Sequence, residues 1–355
     1  MWVEIARAAR GPRRRVRWAP AVAAATALVA AATALVAAAC GGAAATGRRS
    51  CEGSPALCAR TLDQVVLAGT HNSFAASEQP GWYFASQRRG IQKQLQDGIR
   101  ALLVDVHYGV PDPATGRVRT DLRAEGSDRN KVAQQVPPVA LKVADRVAGR
   151  VGVGKLAGSP QLYLCHTLCE LGADPLAKEL EVIRRFLQRH PGEVLVVIVE
   201  DYVPPEAIAA AFADAGLDPW LATLHDGQRL PTLGELVRSD RRLLVFAEVK
   251  GGSPAWYMPA FTFIGDTPLG AVSPTQLSCS RYRGAPNTPL MLINHWIPPF
   301  PPSPQLNAAI GQRVFLRERV RRCMRERHTG GAIVAVDFYE RTSVVAVARE
   351  LNGGG

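Results

Sequence analysis

Val65-Val66-Leu67-Ala68-Gly69-Thr70-His71-Asn72-Ser73 decides how this chain is read. A short run of apolar and β-branched residues is a buried strand, and this one ends in an imidazole and a carboxamide. A strand apolar on both faces belongs to a parallel sheet covered by helices. In such folds the carboxyl ends of the strands are where chemistry is placed. His71 therefore stands where a general base is useful, with Asn72 beside it as an oxygen donor. Taken alone, a strand-end histidine satisfies a loop carbonyl just as readily. The rest of the chain shifts that balance.

The same pattern recurs at residues 98–107, 161–166, 194–201, 242–248, 290–295 and 332–337. Each is an apolar run ending in polar groups. Helical spacing falls between them at residues 89–98, 175–190, 206–216, 232–238 and 316–327, with Asp174 expected to cap the second of these. Residues 256–288 read as irregular. Strands alternating with helices imply a parallel α/β sheet. Polar residues at nearly every strand end favour a single (β/α)8 TIM-like barrel over an open doubly wound sheet. No glycine-rich nucleotide fingerprint follows the first strand, which counts against a Rossmann fold. In a barrel the strand ends converge. His71, Asn72, Asp105, His107, His166, Glu200, Glu248, His295 and Asp337 are thus expected around one mouth.

The chain has 355 residues and a net charge of +11. Arg7, Arg10, Arg13, Arg14, Arg15 and Arg17 precede an Ala/Val-rich segment at 18–39, the pattern of an export signal. Val36-Ala37-Ala38-Ala39-Cys40-Gly41-Gly42 resembles a bacterial lipoprotein cleavage site with Cys40 as the acylated residue. An uncleaved membrane anchor stays open as an alternative. Residues 1–50 are accordingly read as export or anchor segment and tether, and 51–355 as the barrel. Of seven cysteines, Cys40 is the odd one, and proximity pairs Cys51 with Cys58, Cys165 with Cys169 and Cys279 with Cys323. An exported, oxidising, extracytoplasmic location follows. Nothing resembles a nucleic-acid motif, so no nucleic-acid partner is expected. Residues 139–151 read as a basic amphipathic helix, either a solvated face or a membrane contact.

Two histidines with several carboxylates suit one reaction class: one imidazole takes a proton from an attacking hydroxyl, and the other gives one to the leaving oxygen. Asn72, Asp105 and Glu200 are oxygen donors suited to a hard cation such as Ca²⁺. Asp337, on a last strand that lies beside the first in a closed barrel, is placed to orient His71.

Ala68-Gly69-Thr70-His71-Asn72-Ser73, Gly98-Ile99-Arg100 leading to Asp105, and Cys165-His166-Thr167 together resemble the X-domain of phosphatidylinositol-specific phospholipase C. Glu200-Asp201-Tyr202 and Ala335-Val336-Asp337-Phe338-Tyr339 resemble the PI-PLC X domain-containing phosphodiesterases of plants, fungi and actinobacteria. The likeness runs from about residue 51 to 352. It implies a TIM-like barrel acting on phosphatidylinositol-like lipids at a membrane surface, with a cyclic inositol phosphate formed first. His71 would be the base at the inositol 2-hydroxyl, and His166 the acid at the diacylglycerol oxygen. In Ca²⁺-dependent relatives the metal ligands correspond to Asn72, Asp105 and Glu200, with a further acid where this chain has Leu103. Metal-independent bacterial relatives carry an arginine in place of Asp105. No role is implied for His107, Glu248 or His295. Two other readings stay open: a glycerophosphodiester phosphodiesterase, and a non-catalytic lipid-anchored envelope binding protein on the same barrel.

Overall fold

The run quoted first folds as β1 (Val66–Thr70), buried at every residue. The computed structural model describes residues 50–121, 158–299 and 301–354, with Arg146 and Gly149 besides. The export segment, Cys40, and all of the basic helix at 139–151 except those two positions lie outside the described residues. The further strands are β2 (Ala101–Pro111), β3 (Val118–Thr120), β4 (Gln161–Leu164), β5 (Asp174–Pro175), β6 (Leu195–Asp201), β7 (Leu243–Ala247), β8 (Tyr257–Pro259), β9 (Ile264–Asp266), β10 (Leu290–His295) and β11 (Ala332–Val336).

The main path through the sheet is β8-β7-β6-β2-β1-β11-β10-β9. Every neighbouring pair in it is parallel. Starting from β1, these strands follow one another in chain order, which is the order of a (β/α)8 barrel. The ladder is interrupted between β8 and β9, three-residue strands joined by the short helix Ala260–Phe263. These two strands fall in the stretch read from sequence as irregular. Three residues per strand carry too little pattern for a periodicity to register.

The expected strand at 161–166 is not a barrel strand. β2 runs on past the barrel rim for 11 residues in all, and its far end carries β3 and β4 antiparallel, with β5 antiparallel to β4. β4 therefore descends toward the mouth instead of rising to it, and ends with Leu164 opposite Val106. A second correction concerns Asp174. Pro175 occupies the N-cap of helix Leu176–Arg189 without a side-chain cap bond. Asp174 instead accepts from Lys178 Nζ at 2.8 Å and from Trp82 Nε1 at 3.4 Å.

Alternate strand residues fall into two apolar clusters, as the two-residue period requires. Val66, Ala68, Leu102, Val104, Val197, Val199, Val245, Ile293 and Val334 pack with Leu180, Ile183, Phe212, Leu316 and Val347 of the surrounding helices. Leu67, Ala101, Leu103, Val196, Ile198, Leu244, Phe246, Leu292, Ile333 and Ala335 fill the barrel interior. Gly69 belongs to the interior parity. A Cβ there would lie 3.0 Å from Ala101 Cβ and 3.2 Å from the Ala101 carbonyl oxygen, so β1 and β2 meet closely only because the side chain is absent. The three expected disulfides, Cys51–Cys58, Cys165–Cys169 and Cys279–Cys323, are all formed. Among the described residues no helix is long and apolar enough to cross a membrane.

Candidate active site

Continuing the interior parity by one step toward the carboxyl end of each strand yields the site. Gly69 leads to His71, Leu103 to Asp105, Ile198 to Glu200, Phe246 to Glu248, Leu292 to Asn294 and Ala335 to Asp337. A pocket of about 540 Å³ opens there, with Leu103 and Ile198 in its floor and His71, Asp105, His166, Glu200, Glu248, Arg283, Asn294 and Trp296 around it.

The His71 backbone N–H donates to Val336 O at 3.0 Å, which fixes the residue on the first and last strands together. Its Nδ1 lies 2.9 Å from Asp337 Oδ1, and its ring stacks on Trp296 with centroids 4.0 Å apart and planes 3° from parallel. A carboxylate accepts only, so Nδ1 carries the proton and Nε2 is the basic nitrogen. Asp337 is buried. Burial pushes its carboxyl above the usual range, and His71 opposes that shift.

His166 follows β4 and approaches from the protruding end of β2. Its Nδ1 lies 3.0 Å from Asp105 Oδ2, and its centroid is 6.4 Å from that of His71, with the rings 80° apart. The pocket walls disfavour a charged ring. The carboxylates of Asp105, Glu200 and Asp337 outweigh them and hold the imidazole above its ordinary value. Asp105 is itself pushed up, by burial first; the His166 hydrogen bond works against this, and the Glu200 charge adds to it.

Asp105 and Glu200 are register partners on β2 and β6. Glu200 Oε1 accepts from the Tyr202 hydroxyl at 2.8 Å. Asn72 is buried in a left-handed backbone conformation (φ 44°), with Nδ2 3.3 Å from His166 Nδ1 and Oδ1 without a hydrogen-bond partner. The unpartnered Asn72 amide oxygen and the Asp105 and Glu200 carboxylates are oxygen donors of the kind a hard cation takes. Among the described residues no three His, Cys, Asp or Glu side chains are grouped to hold a metal by themselves. Water and substrate oxygens would have to complete the shell, and one oxygen of Asp105 is already engaged by His166.

Not all nine expected residues reach the mouth. Asn72 and Asp337 lie directly behind the two imidazoles. His107 is buried and stacks on Tyr202 at 4.0 Å, one step of the parity above Asp105 on the part of β2 that pairs with β4. His295 has the opposite parity and faces the helices. Its Nε2 meets Ile310 O at 3.1 Å, its Nδ1 accepts from the Arg319 guanidinium at 2.8 Å, and burial followed by that positive charge pushes it down to about 3.

Besides Asn294, which lines the pocket in place of its neighbour His295, two pocket residues escaped the sequence. The signal for Trp296 is an aromatic directly after a strand end. Arg283 carried no signal. Its guanidinium bridges Glu248 at 2.7 Å and Asp266 at 2.6 Å and stands 4.3 Å above the Phe261 ring. Burial, with this partner opposing it, holds the Glu248 carboxyl up at about 7.

Residues 154–352 match the family model described as PI-PLC X 1. The chain belongs to the PI-PLC X family. The matched span contains His166, Glu200 and Asp337 and begins after His71 and Asp105. A PI-PLC X domain-containing protein of Arabidopsis thaliana is 24% identical over 314 residues, 80% of this chain and 61% of that protein. An uncharacterized secreted protein of Arthroderma benhamiae is 25% identical over 239 residues, 65% of this chain and 42% of its own length. The chain thus spans about half the length of these two relatives. PI-PLC X domain-containing protein 1 of the same fungus is 26% identical over 211 residues, 54% of this chain and 69% of that protein. Among solved structures, the phosphatidylinositol-specific phospholipase C of Listeria monocytogenes aligns at 15% identity with a TM-score of 0.46, over 87% of this chain and 96% of its own. That of Staphylococcus aureus aligns at 12% with a TM-score of 0.47, over 81% and 93%.

Proposed function

We propose that this protein is an exported phosphodiesterase of the phosphatidylinositol-specific phospholipase C type. The carrying observation is the pair of imidazoles 6.4 Å apart, each tied through Nδ1 to its own buried carboxylate. That spacing suits a single phosphate between them, one ring on each side.

His71 Nε2 takes the proton of the inositol 2-hydroxyl, with Asp337 fixing the tautomer and compensating the charge that forms. The freed oxygen attacks phosphorus as the bond from phosphorus to the diacylglycerol oxygen breaks. His166, kept protonated by the carboxylates around it, gives its proton to that leaving oxygen. A cyclic inositol phosphate results. Asn72, Asp105 and Glu200 would hold Ca²⁺, and a bound divalent cation would supply positive charge against the phosphate oxygens.

Export is supported by the N-terminal charge-and-apolar pattern, the three disulfides and a relative named as secreted. Action at a lipid surface is supported by exposed apolar residues at the pocket lip, Val249, Leu269 and Tyr282. The test is turnover of phosphatidylinositol vesicles followed by ³¹P NMR. A cyclic phosphodiester product from the wild type, absent for His71→Ala and His166→Ala, is expected. Acyclic glycerophospho products would favour the glycerophosphodiesterase reading. A folded wild type without turnover would favour a binding protein.

A further inference from the structure

The second histidine hangs from a weaker support than the first, and a disulfide stands at that point. His71 is clamped by the face of Trp296 and by two parallel ladders. His166 follows a four-residue strand whose first residue is exposed. Its ring is 59% exposed and is held by the side-chain bond from Nδ1 to Asp105. The backbone bond just before it, from Cys165 N to Asp105 O, is 3.4 Å long. Directly after it the chain doubles back: Leu168 N donates to His166 O at 2.7 Å across Thr167, whose φ is +64°. A three-residue reversal through a left-handed, β-branched residue is an unfavourable conformation that persists only when its surroundings impose it.

Cys165 and Cys169 close a covalent ring around just this reversal, and both are buried. Cys169 is anchored in turn. Its N–H donates to Thr120 Oγ1 at 2.8 Å, and Glu170 accepts from the Thr120 hydroxyl at 2.7 Å and from the Thr120 backbone N–H at 3.0 Å. A continuous connection therefore runs from β3 through Thr120 and the disulfide to the residue bearing the imidazole.

Building on the phosphodiesterase reading, we propose that the Cys165–Cys169 disulfide is the positioning device for His166: it imposes the reversal at Thr167 and so holds the acid imidazole over the Asp105 carboxylate. Without the bridge the reversal relaxes to an ordinary turn. The ring then leaves the phosphate while the pocket that receives the head group stays in place.

The test exploits what a general acid is for. A poorly stabilised alkoxide leaving group needs the proton, whereas a p-nitrophenolate leaves without it. The kcat of the wild type and of Cys165→Ala/Cys169→Ala is measured on phosphatidylinositol and on p-nitrophenyl inositol phosphate. The variant is expected to lose about 10²-fold on the lipid and only a few-fold on the aryl ester, with KM preserved on both. Because the two rates come from one preparation, their ratio is independent of the fraction folded. The Cys165→Ser/Cys169→Ser variant serves if the alanine pair does not fold. Cys51→Ala/Cys58→Ala, far from the pocket, should leave the ratio unchanged. Equal losses on the two substrates, or no loss, overturn the positioning role while leaving the phosphodiesterase reading intact. A folded wild type that turns over neither substrate overturns both.

Discussion

At the scale of single residues, the two histidines look alike in sequence and differ in setting. Both use Nδ1 on a buried carboxylate, but one ring is stacked and largely covered while the other opens into the pocket. Asp105 holds His166 and, in the proposed function, would also be a ligand of the divalent cation. Asp105→Asn is therefore expected to lower kcat by about 10²-fold or more, since it removes the charge that keeps His166 protonated and one metal ligand together. Its thermal midpoint should move by no more than about 2–4 °C, the effect of ~1 kcal/mol in a domain of about 150 residues or more, because burial already disfavours the charged carboxylate. Calorimetry beside steady-state kinetics decides this, and a collapse of the fold with activity intact per folded molecule would refute it. Asp337→Asn should reduce kcat to a similar degree with little change in KM, since an amide can present a donor to Nδ1 and reverse the tautomer. A kcat close to that of the wild type would show that Asp337 does not set it.

At the scale of elements, β10 is tied to the helix Arg313–Glu326 by a histidine that must stay neutral. Arg319 donates to His295 Nδ1 and to Asn294 O, and Leu316, Val320 and Cys323 share its buried helix face. The folded value of His295 is depressed to about 3, below the usual ~6.5 of an unfolded chain. Stability from this group is thus fully present above about pH 6.5 and is lost as pH falls toward 3, by up to ~1.4 kcal/mol per pH unit. Urea unfolding at pH 7 and pH 4.5 should show this loss, and His295→Gln should flatten it. An unchanged slope in the variant would assign the acid sensitivity to other groups. The same helix is held by Cys279–Cys323, which closes a separation of 44 residues. Replacing that pair by alanine should cost about 2–5 kcal/mol, read as a shift in the urea midpoint.

At the scale of the whole molecule, the parallel strands bring oxygen donors from separate parts of the chain to one pocket, and charge there is finely balanced. Asp105, Glu200 and Glu248 face it together with the bridged Arg283. Excess chelator is expected to abolish turnover, and added Ca²⁺ to restore it. Affinity in the absence of substrate should be weak, since three protein ligands leave most of a six-to-eight-oxygen shell to water and phosphate. Full activity in chelator would mean that the histidines act without a divalent ion. Peptide mapping of the unreduced protein should return the three observed pairs, with Cys40 in none of them.

What the sequence determined by itself was six of the eight parallel strands, β1, β2, β6, β7, β10 and β11, and the chemistry at their ends. Apolar β-branched runs have few alternatives to buried parallel strands, and His71, Asp105, Glu200 and Asp337 could be read as strand-end groups at once. Cysteine proximity sufficed for Cys51–Cys58 and Cys165–Cys169 because short separations leave little geometric choice, and Cys279 and Cys323, 44 residues apart, were the pair left over. Facing direction was not legible. Leu290-Met291-Leu292-Ile293 is apolar on both faces, so nothing local says that Asn294 looks into the barrel and His295 out toward Arg319. Only the closing of the strands around a common interior assigns that parity. Nor could the run 161–166 reveal that it pairs antiparallel with an overlong β2, since strand direction is a property of the pairing and not of the segment. Arg283 reaches the pocket from a stretch without periodicity, drawn there by the Glu248 and Asp266 carboxylates. The tertiary structure decided these points because each depends on which distant residues stand opposite, and a local pattern does not contain that information.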